Sequence, residues 1–346
     1  MPYTMGVDSV LARRRWQMNG ATRNPRYSRT SNMMRSSIGI DLGGTHLRAV
    51  RLGEHGEILA HAKVRTAALD GPDTVVEQIC RLVAQMLAGS GDTVAGLGVC
   101  VAGPVDPDAG IVLEASTMTG WHDIPLRAWL AERTGLAVNV ANDANAAALG
   151  EWRYGAGQGC RHFIYVTVST GIGGGVIADG RLLLGHRGMA GEVGHMVVDR
   201  SGPRCNCGAY GCWEAVASGT ALAREAGAAQ ATAPASLLHR WAQERALTAR
   251  EVVDAARQGD DLAQRLVHEE GVWLGIGLAG LLHLYSPERI AVGGGLSSAL
   301  DLFLPQIEHE IRTRTMPPYR GVPVVVAALG DHAGVVGAGA LALGGW

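Results

Sequence analysis

The sequence predicts an α/β protein made of two related halves, and three observations lead to this prediction. Hydrophobic residues make up 47% and charged residues 18% of the 346 residues, which is typical of a globular chain. Short apolar strands alternate with helical segments, as in α/β folds. A strand, a glycine-rich turn and a returning strand occur near Asp41 and again near Thr170, which indicates a duplicated unit.

The first 37 residues form a segment of their own. They are rich in Arg, Ser and Asn, contain Asp8 as their one acidic residue, and show no sustained apolar period. We expect a disordered tail, or a start codon placed too early before Met33 and Met34; a transit peptide is the alternative. The segment is too short for a winged helix-turn-helix domain. We expect residues 38–137 and 333–346 to form a small α/β lobe, and residues 138–332 a larger one.

Each element of the first half follows from its local pattern. Asp41-Leu42-Gly43-Gly44-Thr45 joins a buried strand to a returning strand, and apolar spacing on one face predicts the first helix. The predicted strands are 38–41, 46–52, 58–64, 94–101 and 138–140. The predicted helices are 73–88, 125–134 and 142–154.

The second half repeats this order. Its strand 163–168 runs into the turn 169–175 and returns over 176–178. The later predicted strands are 290–292 and 322–327, and the predicted helices are 218–228, 248–258, 262–285 and one that begins at residue 333. Gly275-Ile276-Gly277-Leu278-Ala279-Gly280 has the spacing of a dinucleotide fingerprint, but it follows a helical segment, so we interpret its glycines as packing positions within a helix.

Charge and hydropathy exclude several classes. The net charge is −2, from 30 basic and 32 acidic residues, and gives no reason to expect nucleic acid or an anionic membrane as partner. The most apolar helical stretch, residues 272–285, is shorter than a membrane span. The six Cys do not form a disulfide framework, so we expect a cytoplasmic protein.

The two glycine turns have the composition of phosphate sites. Each offers backbone N–H groups without a nearby Cβ, and the first adds the Asp41 carboxylate and the Thr45 hydroxyl. We expect the turns to face each other and hold a triphosphate, with Asp41 near its Mg²⁺. Two ordinary hairpin turns are the alternative.

A metal site is predicted from three cysteines and a histidine. Four residues of the two types that zinc prefers lie close together in the chain: His195, Cys205, Cys207 and Cys212. Gly208 and Gly211 allow the loop to fold back. Four protein ligands predict a structural zinc with no open position.

Several polar side chains suit a reaction on a hydroxylated ligand. Asp143 begins a helix directly after a strand, so the positive helix end is expected to keep it ionised for accepting a proton; an ordinary helix cap is the alternative. Glu192 and Glu214 flank the metal loop, and carboxylates accept hydrogen bonds from neighbouring hydroxyls. His195 has a second ring nitrogen that can face the same ligand.

Together these motifs resemble the ROK family (repressors, open reading frames and sugar kinases). The resemblance runs from Ile38 to the last residue and is carried by Asp41-Leu42-Gly43-Gly44-Thr45, Asn142-Asp143-Ala144-Asn145-Ala146-Ala147, the 169–175 turn, Gly191-Glu192-Val193-Gly194-His195, the cysteine loop through Glu214, Gly293-Gly294-Gly295 and the segment 331–338.

The resemblance implies an actin-like ATPase fold with two lobes around a cleft, and a homodimer. It implies transfer of the ATP γ-phosphoryl group to a hexose, usually at O6. By matching position, Asp143 is the expected catalytic base. The expected sugar contacts are Asn142, Glu192, His195 and Glu214, and the expected nucleotide contacts are Gly43, Gly44, Thr45, Thr170, Gly171 and Gly294.

One segment departs from the family pattern. Many family kinases carry Pro-Asn before the Gly-Trp that is Gly120-Trp121 here, whereas this chain has Ser116-Thr117-Met118-Thr119. Thr117 is therefore the expected sugar contact in place of the Asn. We expect glucose as the sugar substrate, and N-acetylmannosamine or N-acetylglucosamine is the alternative. A sugar-sensing transcriptional regulator without its DNA-binding domain is the alternative of another class.

Overall fold

The computed structural model describes residues 35–88 and 93–346; the expectations for the first 34 residues lie outside these ranges. The strands are β1 (Arg35–Leu42), β2 (His46–Gly53), β3 (Ile58–Arg65), β4 (Thr93–Val101), β5 (Val105–Asp106), β6 (Ile111–Glu114), β7 (His122–Ile124), β8 (Val138–Asn142), β9 (Phe163–Val168), β10 (Ile172–Ala178), β11 (Arg181–Leu182), β12 (Arg289–Gly293) and β13 (Val324–Val326). The helices are α1 (Pro72–Leu87), α2 (Leu126–Thr134), α3 (Asp143–Tyr154), α4 (Trp213–Ala217), α5 (Gly219–Ala229), α6 (Leu237–Ala242), α7 (Ala249–Arg257), α8 (Asp261–Tyr285), α9 (Leu300–Arg314) and α10 (Ala333–Leu343).

Two five-stranded sheets confirm the predicted duplication. The first has the order β3-β2-β1-β4-β8 and the second the order β11-β10-β9-β12-β13. In each sheet a central strand pairs antiparallel with the strand after its glycine turn and parallel with its other neighbour. A small sheet, β5-β6-β7, was not predicted, because its strands are only two to four residues long.

The fold begins earlier than expected. β1 starts at Arg35, and Ser36 and Ser37 are fully buried. The Ser37 hydroxyl donates a hydrogen bond to the backbone oxygen of Gly339 at 2.8 Å, so a polar residue is satisfied inside the core. The expectation that the tail extends to residue 37 is therefore wrong for these last residues.

The second glycine turn is shorter than expected. β10 already begins at Ile172, so Gly173, Gly174 and Gly175 lie in the strand. A Cβ on Gly175 would lie 2.5 Å from the Cβ of Ala148, which shows that the missing side chain lets α3 pack on this strand. These glycines serve packing, whereas the turn itself consists of Ser169, Thr170 and Gly171.

Glycines also explain the long helix α8. Its Gly275–Gly280 segment is helical, as predicted, and a Cβ on Gly277 would overlap the Trp213 ring of α4. Helices α4, α6 and α9 were not predicted: α4 and α6 have only five and six residues, and α9 contains Pro305.

Helix α10 joins the first sheet to α3. It packs on β1 and β4 and also on α3, and the approach is close on both sides. A Cβ on Gly98 would overlap the backbone oxygen of Ala338, and a Cβ on Gly337 would overlap that of Ala146. This packing fixes the end of β1 relative to the beginning of α3. No helix among the described residues has the length and apolar character required to cross a bilayer.

Candidate active site

The carboxyl end of β1 and the beginning of α3 bring two carboxylates together. Asp41 lies in β1 and Asp143 directly follows β8, which belongs to the same sheet. The two side chains are close enough for the charge of Asp41 to shift the pKa of Asp143. A pair of carboxylates at the carboxyl edge of parallel strands is typical of a ligand site in an α/β sheet.

Asp143 has an environment suited to proton transfer near neutral pH. Burial, and next the negative charge of Asp41, raise its pKa to about 6, with a smaller effect from Glu192. A hydrogen bond of 2.9 Å from the backbone N–H of Ala144 acts in the opposite direction. We expected the positive end of α3 to lower the pKa of Asp143. Burial and the charge of Asp41 outweigh this effect, so the pKa is raised instead. The carboxylate is nevertheless the major form above pH 6.

Asn142 has a structural role that the sequence analysis did not foresee. Its side-chain oxygen accepts hydrogen bonds from the backbone N–H groups of Ala144 and Asn145, so it caps α3. Its amide nitrogen donates to the backbone oxygen of Gly103 at 3.0 Å. Both ends of the amide are engaged, and the expected sugar contact of Asn142 stays a prediction.

Asp41 is held by an arginine and a thiol. Its Oδ2 atom forms an ion pair with Arg48 at 2.9 Å, and its Oδ1 atom lies 3.6 Å from the sulfur of Cys100. The Cys100 sulfur also lies 3.4 Å from the backbone oxygen of Gly334, and a thiol can donate to only one of the two at a time. Burial, and next Asp41, raise the pKa of Cys100, so it stays a neutral thiol.

The first glycine turn leaves backbone donors available. The N–H of Gly43 donates to His46, and the oxygen of Gly43 accepts from the Thr66 hydroxyl. The N–H groups of Gly44 and Thr45 donate to no other group in the described part of the chain. Adjacent unpaired N–H groups in a turn can bind an anion.

Thr117 lies against this turn. A Cβ on Gly44 would be 2.7 Å from both Cβ and Oγ1 of Thr117. The segment expected to contact the sugar therefore supports the turn expected to contact phosphate. The absence of a side chain at Gly44 makes this contact possible.

The second glycine turn also has available backbone donors, and its neighbour Ile172 is hydrogen-bonded to Glu214. The N–H groups of Thr170 and Gly171 donate to no group within the described ranges. The next N–H, that of Ile172, donates to Oε2 of Glu214 at 3.2 Å, and a Cβ on Gly171 would overlap this carboxylate. Each half of the molecule thus contributes one turn with two available donors.

A cavity of about 770 Å³ adjoins the second turn. Ser169 and Thr170 line one side of it, and Gly295 and Leu296, which follow β12, line another. Residues of α5, of α7 and of the N-cap of α7 complete the wall: Thr220, Ala223, Thr248, Arg250 and Asp254. Gly294 precedes the lining residues in a left-handed conformation with φ +83°, and a Cβ there would lie 2.6 Å from the Thr167 hydroxyl.

The cysteine loop brings its four predicted ligands together. One donor atom from each of His195, Cys205, Cys207 and Cys212 lies within 4.8 Å of all the others. Nδ1 of His195 is 3.7 Å from the sulfur of Cys205, and the sulfurs of Cys207 and Cys212 are 3.6 Å apart. Tetrahedral zinc with Zn–S bonds of about 2.3 Å separates its sulfur ligands by about 3.7 Å. The donor set and the spacing therefore fit zinc.

The metal loop connects to the predicted ligand-binding carboxylates. Nε2 of His195 lies 3.9 Å from Oε2 of Glu192, on the side of the ring opposite the cysteines. Oε1 of Glu214 lies 3.7 Å from the sulfur of Cys205. Carboxylates that contact metal ligands commonly orient them. Glu192, His195 and Glu214 therefore form one connected group between the metal loop and the second turn.

Two parts of the site were missed by sequence reasoning. Arg48 alternates with buried residues in β2, and only the register that pairs it with Asp41 reveals its role. The cavity lining from α5 and α7 comes from segments far from either turn in sequence. A basic residue two positions beyond Leu-Gly-Gly-Thr-His was the one available signal for Arg48.

Comparisons with known proteins give a consistent picture. The model of the ROK family matches residues 37–344. A glucokinase of Thermotoga maritima is 38% identical over 307 residues, which is 88% of this chain and 96% of that protein. A ROK family glucokinase of Streptomyces griseus, solved in complex with glucose and AMPPNP, is 39% identical with a TM-score of 0.75 and covers 90% of this chain and 100% of its own. A ROK family transcriptional regulator, a homologue of the E. coli MLC protein, is 30% identical with a TM-score of 0.82. The match covers 91% of this chain and 79% of the regulator.

Proposed function

The chain belongs to the ROK family, and we propose that it transfers the γ-phosphoryl group of ATP to the 6-hydroxyl group of a hexose. Its glucokinase relatives match it over most of both chains, so the protein is a sugar kinase and glucose is its substrate. Its fold is the actin-like ATPase fold implied by the resemblance.

One observation carries the residue assignment. Asp143, whose pKa is raised to about 6, lies near Asp41, which precedes the first glycine turn, and it begins α3, which packs on the strand after the second glycine turn. Each turn has two available backbone donors. The donors can bind and neutralise phosphate oxygens, while the carboxylate can accept a proton from a hydroxyl. We assign Asp143 as the general base on this ground. Gly44, Thr45, Thr170 and Gly171 supply the donors.

The reaction follows from these positions. The sugar hydroxyl gives its proton to the Asp143 carboxylate as its oxygen forms a bond to the γ-phosphorus. The bond between the γ-phosphorus and the bridging oxygen breaks, and ADP leaves. The two turns hold the phosphates in line with the hydroxyl, so most of the rate enhancement comes from positioning and charge stabilisation.

The nucleoside fits the large cavity beside the second turn. Its volume of about 770 Å³ and its mixture of apolar and polar walls are typical of a small-molecule site. Gly294 precedes Gly295 of the cavity wall, which supports the nucleotide contact that the resemblance implies. Asp41 would hold the Mg²⁺ that accompanies ATP, since carboxylate oxygens are the ligands that Mg²⁺ prefers. Mg²⁺ supplies charge neutralisation on the phosphates.

We propose that the cysteine loop holds a structural zinc. The donor set and the sulfur spacing support this, and four protein ligands leave no position for a reacting water. The role of the site is then to fix Glu192, His195 and Glu214 for the sugar hydroxyls. Thr117 and Asn142 complete the proposed sugar contacts. We also propose that the protein is a cytoplasmic homodimer. In each protomer, residues 38–137 and 333–346 would form the small lobe, and residues 138–332 the large lobe.

A coupled assay of ADP release tests the function. Mg-ATP is supplied with glucose, mannose, fructose, N-acetylglucosamine or N-acetylmannosamine in turn. We expect glucose to give the highest kcat/KM. A preference for an N-acetylated hexosamine would contradict this expectation. It would indicate that the segment around Thr117 shapes the sugar pocket for an N-acetyl group.

The regulator among the relatives gives the second candidate function. A chain that binds glucose but releases no ADP with any sugar of the panel would support a sensor and contradict the kinase. Glucose binding followed by calorimetry separates this outcome from a protein that has lost its sugar site.

A further inference from the structure

A second cavity lies where the segment before the cysteine loop meets helices α4, α5 and α8. Its volume is about 220 Å³. Asp199 and Pro203, between His195 and Cys205, line one side of it, and Val216 of α4 lies beside them. No residue of this wall also lines the larger cavity beside the second glycine turn, so the two cavities are separate. We call the smaller one the α8 cavity.

The wall of the α8 cavity contains a buried carboxyl group without a partner. Glu270 is only 4% exposed, and its Oε1 atom has no hydrogen-bond partner within residues 35–88 and 93–346. Leu266 and Trp273 lie one turn before it and one turn after it in α8, so the three residues line the cavity from one face of the helix. A buried polar group without a partner costs free energy, so its presence in a folded protein requires an explanation.

Arg224 does not provide the missing partner. Its Nη2 atom donates to the Glu225 carboxylate at 3.0 Å and to the backbone oxygen of Ala215 at 3.1 Å. Burial raises the pKa of Glu270 well above its ordinary value, and the charge of Arg224 opposes this effect without cancelling it. A further positive charge beside Glu270 would stabilise its ionised form.

The charges of the wall favour a cation as the ligand. Four carboxyl side chains line the cavity, those of Asp199, Glu225, Glu269 and Glu270, against the one guanidinium of Arg224. The ion pair of Arg224 with Glu225 uses that guanidinium and one of the carboxylates. Three carboxyl groups then remain, so the cavity attracts a positive charge and repels an anion.

The spacing and the apolar part of the wall favour an organic cation over a metal ion. Within the described ranges, the one group of three or more His, Cys, Asp or Glu side chains with donor atoms within 4.8 Å of one another is that of the cysteine loop. The carboxyl groups of the α8 cavity are therefore too far apart to surround a metal ion. Val216, Leu222 and Leu266 can instead contact an alkyl group, and the Trp273 ring can attract a cation.

We propose that the α8 cavity binds a small primary alkylammonium ion. The ammonium group donates hydrogen bonds to the Glu270 carboxylate, and the alkyl chain lies against the apolar wall. The cavity is smaller than the about 300–1,000 Å³ that drug-sized ligands occupy, so the ligand is a short-chain amine. Val216 lies two residues after Glu214, so the bound ion joins α8 to the helix that carries a proposed sugar contact.

Equilibrium dialysis of the full-length protein against radiolabelled n-butylammonium chloride tests this site. We expect saturable binding to a single class of sites. Glu270→Gln keeps the size of the side chain and removes its charge, so Kd is expected to rise about tenfold or more, because hydrogen bonds to charged groups are the stronger ones. Glu308→Gln, at an exposed position of α9, is the matched control and is expected to leave Kd unchanged.

Competition on the parent protein tests the class of ligand without relying on a variant that folds. Tetramethylammonium has the same charge but no N–H group, and we expect it to displace the label about tenfold less effectively than unlabelled n-butylammonium. Equal displacement by tetramethylammonium or by potassium chloride would overturn the proposal, as would a lack of saturable binding or an unchanged Kd in folded Glu270→Gln. The readout needs no phosphoryl transfer, so its result does not depend on the proposed kinase reaction.

Discussion

Oε2 of Glu214 accepts a hydrogen bond of 3.2 Å from the backbone N–H of Ile172. This contact joins the cysteine loop to the second glycine turn, because Oε1 of the same carboxylate lies 3.7 Å from the sulfur of Cys205. The side chain expected to hold a sugar hydroxyl thus also holds the turn expected to hold phosphate. The proposed sugar site and the proposed phosphate site therefore share Glu214.

Glu214→Gln is expected to lower kcat/KM for glucose at least tenfold. The amide keeps one oxygen but loses the charge, and hydrogen bonds to charged groups contribute about 1.5–3 kcal/mol. Because the turn also loosens, KM for ATP is expected to rise. Steady-state kinetics with each substrate varied measures both effects. Glu244→Gln, at an exposed position, is the control, and an unchanged KM for ATP would contradict the link to the turn.

Asp143→Asn is expected to lower kcat by about 10²–10⁴-fold, the usual contribution of a general base. The amide has the size of the carboxylate but cannot accept the hydroxyl proton. Glucose binding, measured by calorimetry, is expected to persist. Asp70→Asn changes an exposed carboxyl and is expected to have no effect. Turnover comparable with that of the parent protein would exclude Asp143 as the base.

The pH dependence of kcat is expected to have an acid limb near pH 6. Below this pH Asp143 binds a proton, because burial and the charge of Asp41 raise its pKa to about 6. The protonated form cannot act as a base, so kcat falls about tenfold for each pH unit below the pKa. Rates measured from pH 5 to pH 8 in buffers of constant ionic strength test this. A flat profile across that range would show that another step limits turnover.

Cys207→Ser is expected to remove the metal and lower the midpoint of thermal unfolding by several degrees. The proposed zinc binds only the folded loop, so its loss removes binding energy from the native state. Elemental analysis is expected to give about one zinc per parent chain. Cys80→Ser changes a cysteine of α1 outside the cluster and is expected to retain the zinc. The proposed zinc site would be contradicted if the parent protein contained no zinc and adding zinc did not raise its midpoint of thermal unfolding.

Gly44→Ala is expected to lower kcat/KM by about 10–100-fold, since displacements of about 1 Å in an active site have effects of this size. The new Cβ would lie 2.7 Å from Thr117, so the first turn or the Thr117 segment must move. Adding Thr117→Gly is expected to restore part of the loss, and the double-mutant cycle measures the coupling. Gly321→Ala, where the new Cβ meets nothing within 4 Å, is the control. Additive effects at positions 44 and 117 would show that the two residues act independently.

Local patterns predicted the parts of this molecule that depend on local chemistry. Both glycine turns, the cysteine loop and the helix that begins at Asp143 follow from residue types at short spacing, and the structure has all of them. The beginning of β1 was misplaced because Ser36 and Ser37 are polar, and the hydrogen bond that satisfies the buried Ser37 hydroxyl is made to Gly339, about 300 positions later. Contacts over long sequence separations leave no local signal.

The same reason explains what was missed in the site. The elevated pKa of Asp143 depends on its burial and on Asp41, more than 100 positions earlier in the chain. In the sequence, Asp143 shows only its place at the beginning of a helix, whose positive end was its expected environment. Likewise the ion pair of Arg48 with Asp41 appears only once the register of β1 with β2 is known.

Helix α10 imposes an order on the assembly of the protein. β1 is among the first described elements to be synthesised, yet its inner face, including the Ser37 hydroxyl, is completed by a helix made about 300 positions later. Until α10 leaves the ribosome, the first sheet exposes the glycine surface of β1 and β4 and Asp41 lacks its rigid support. We therefore expect the surface of β1 and β4 beside Asp41 to stay uncovered in a nascent chain until residues 333–343 are available to pack on it.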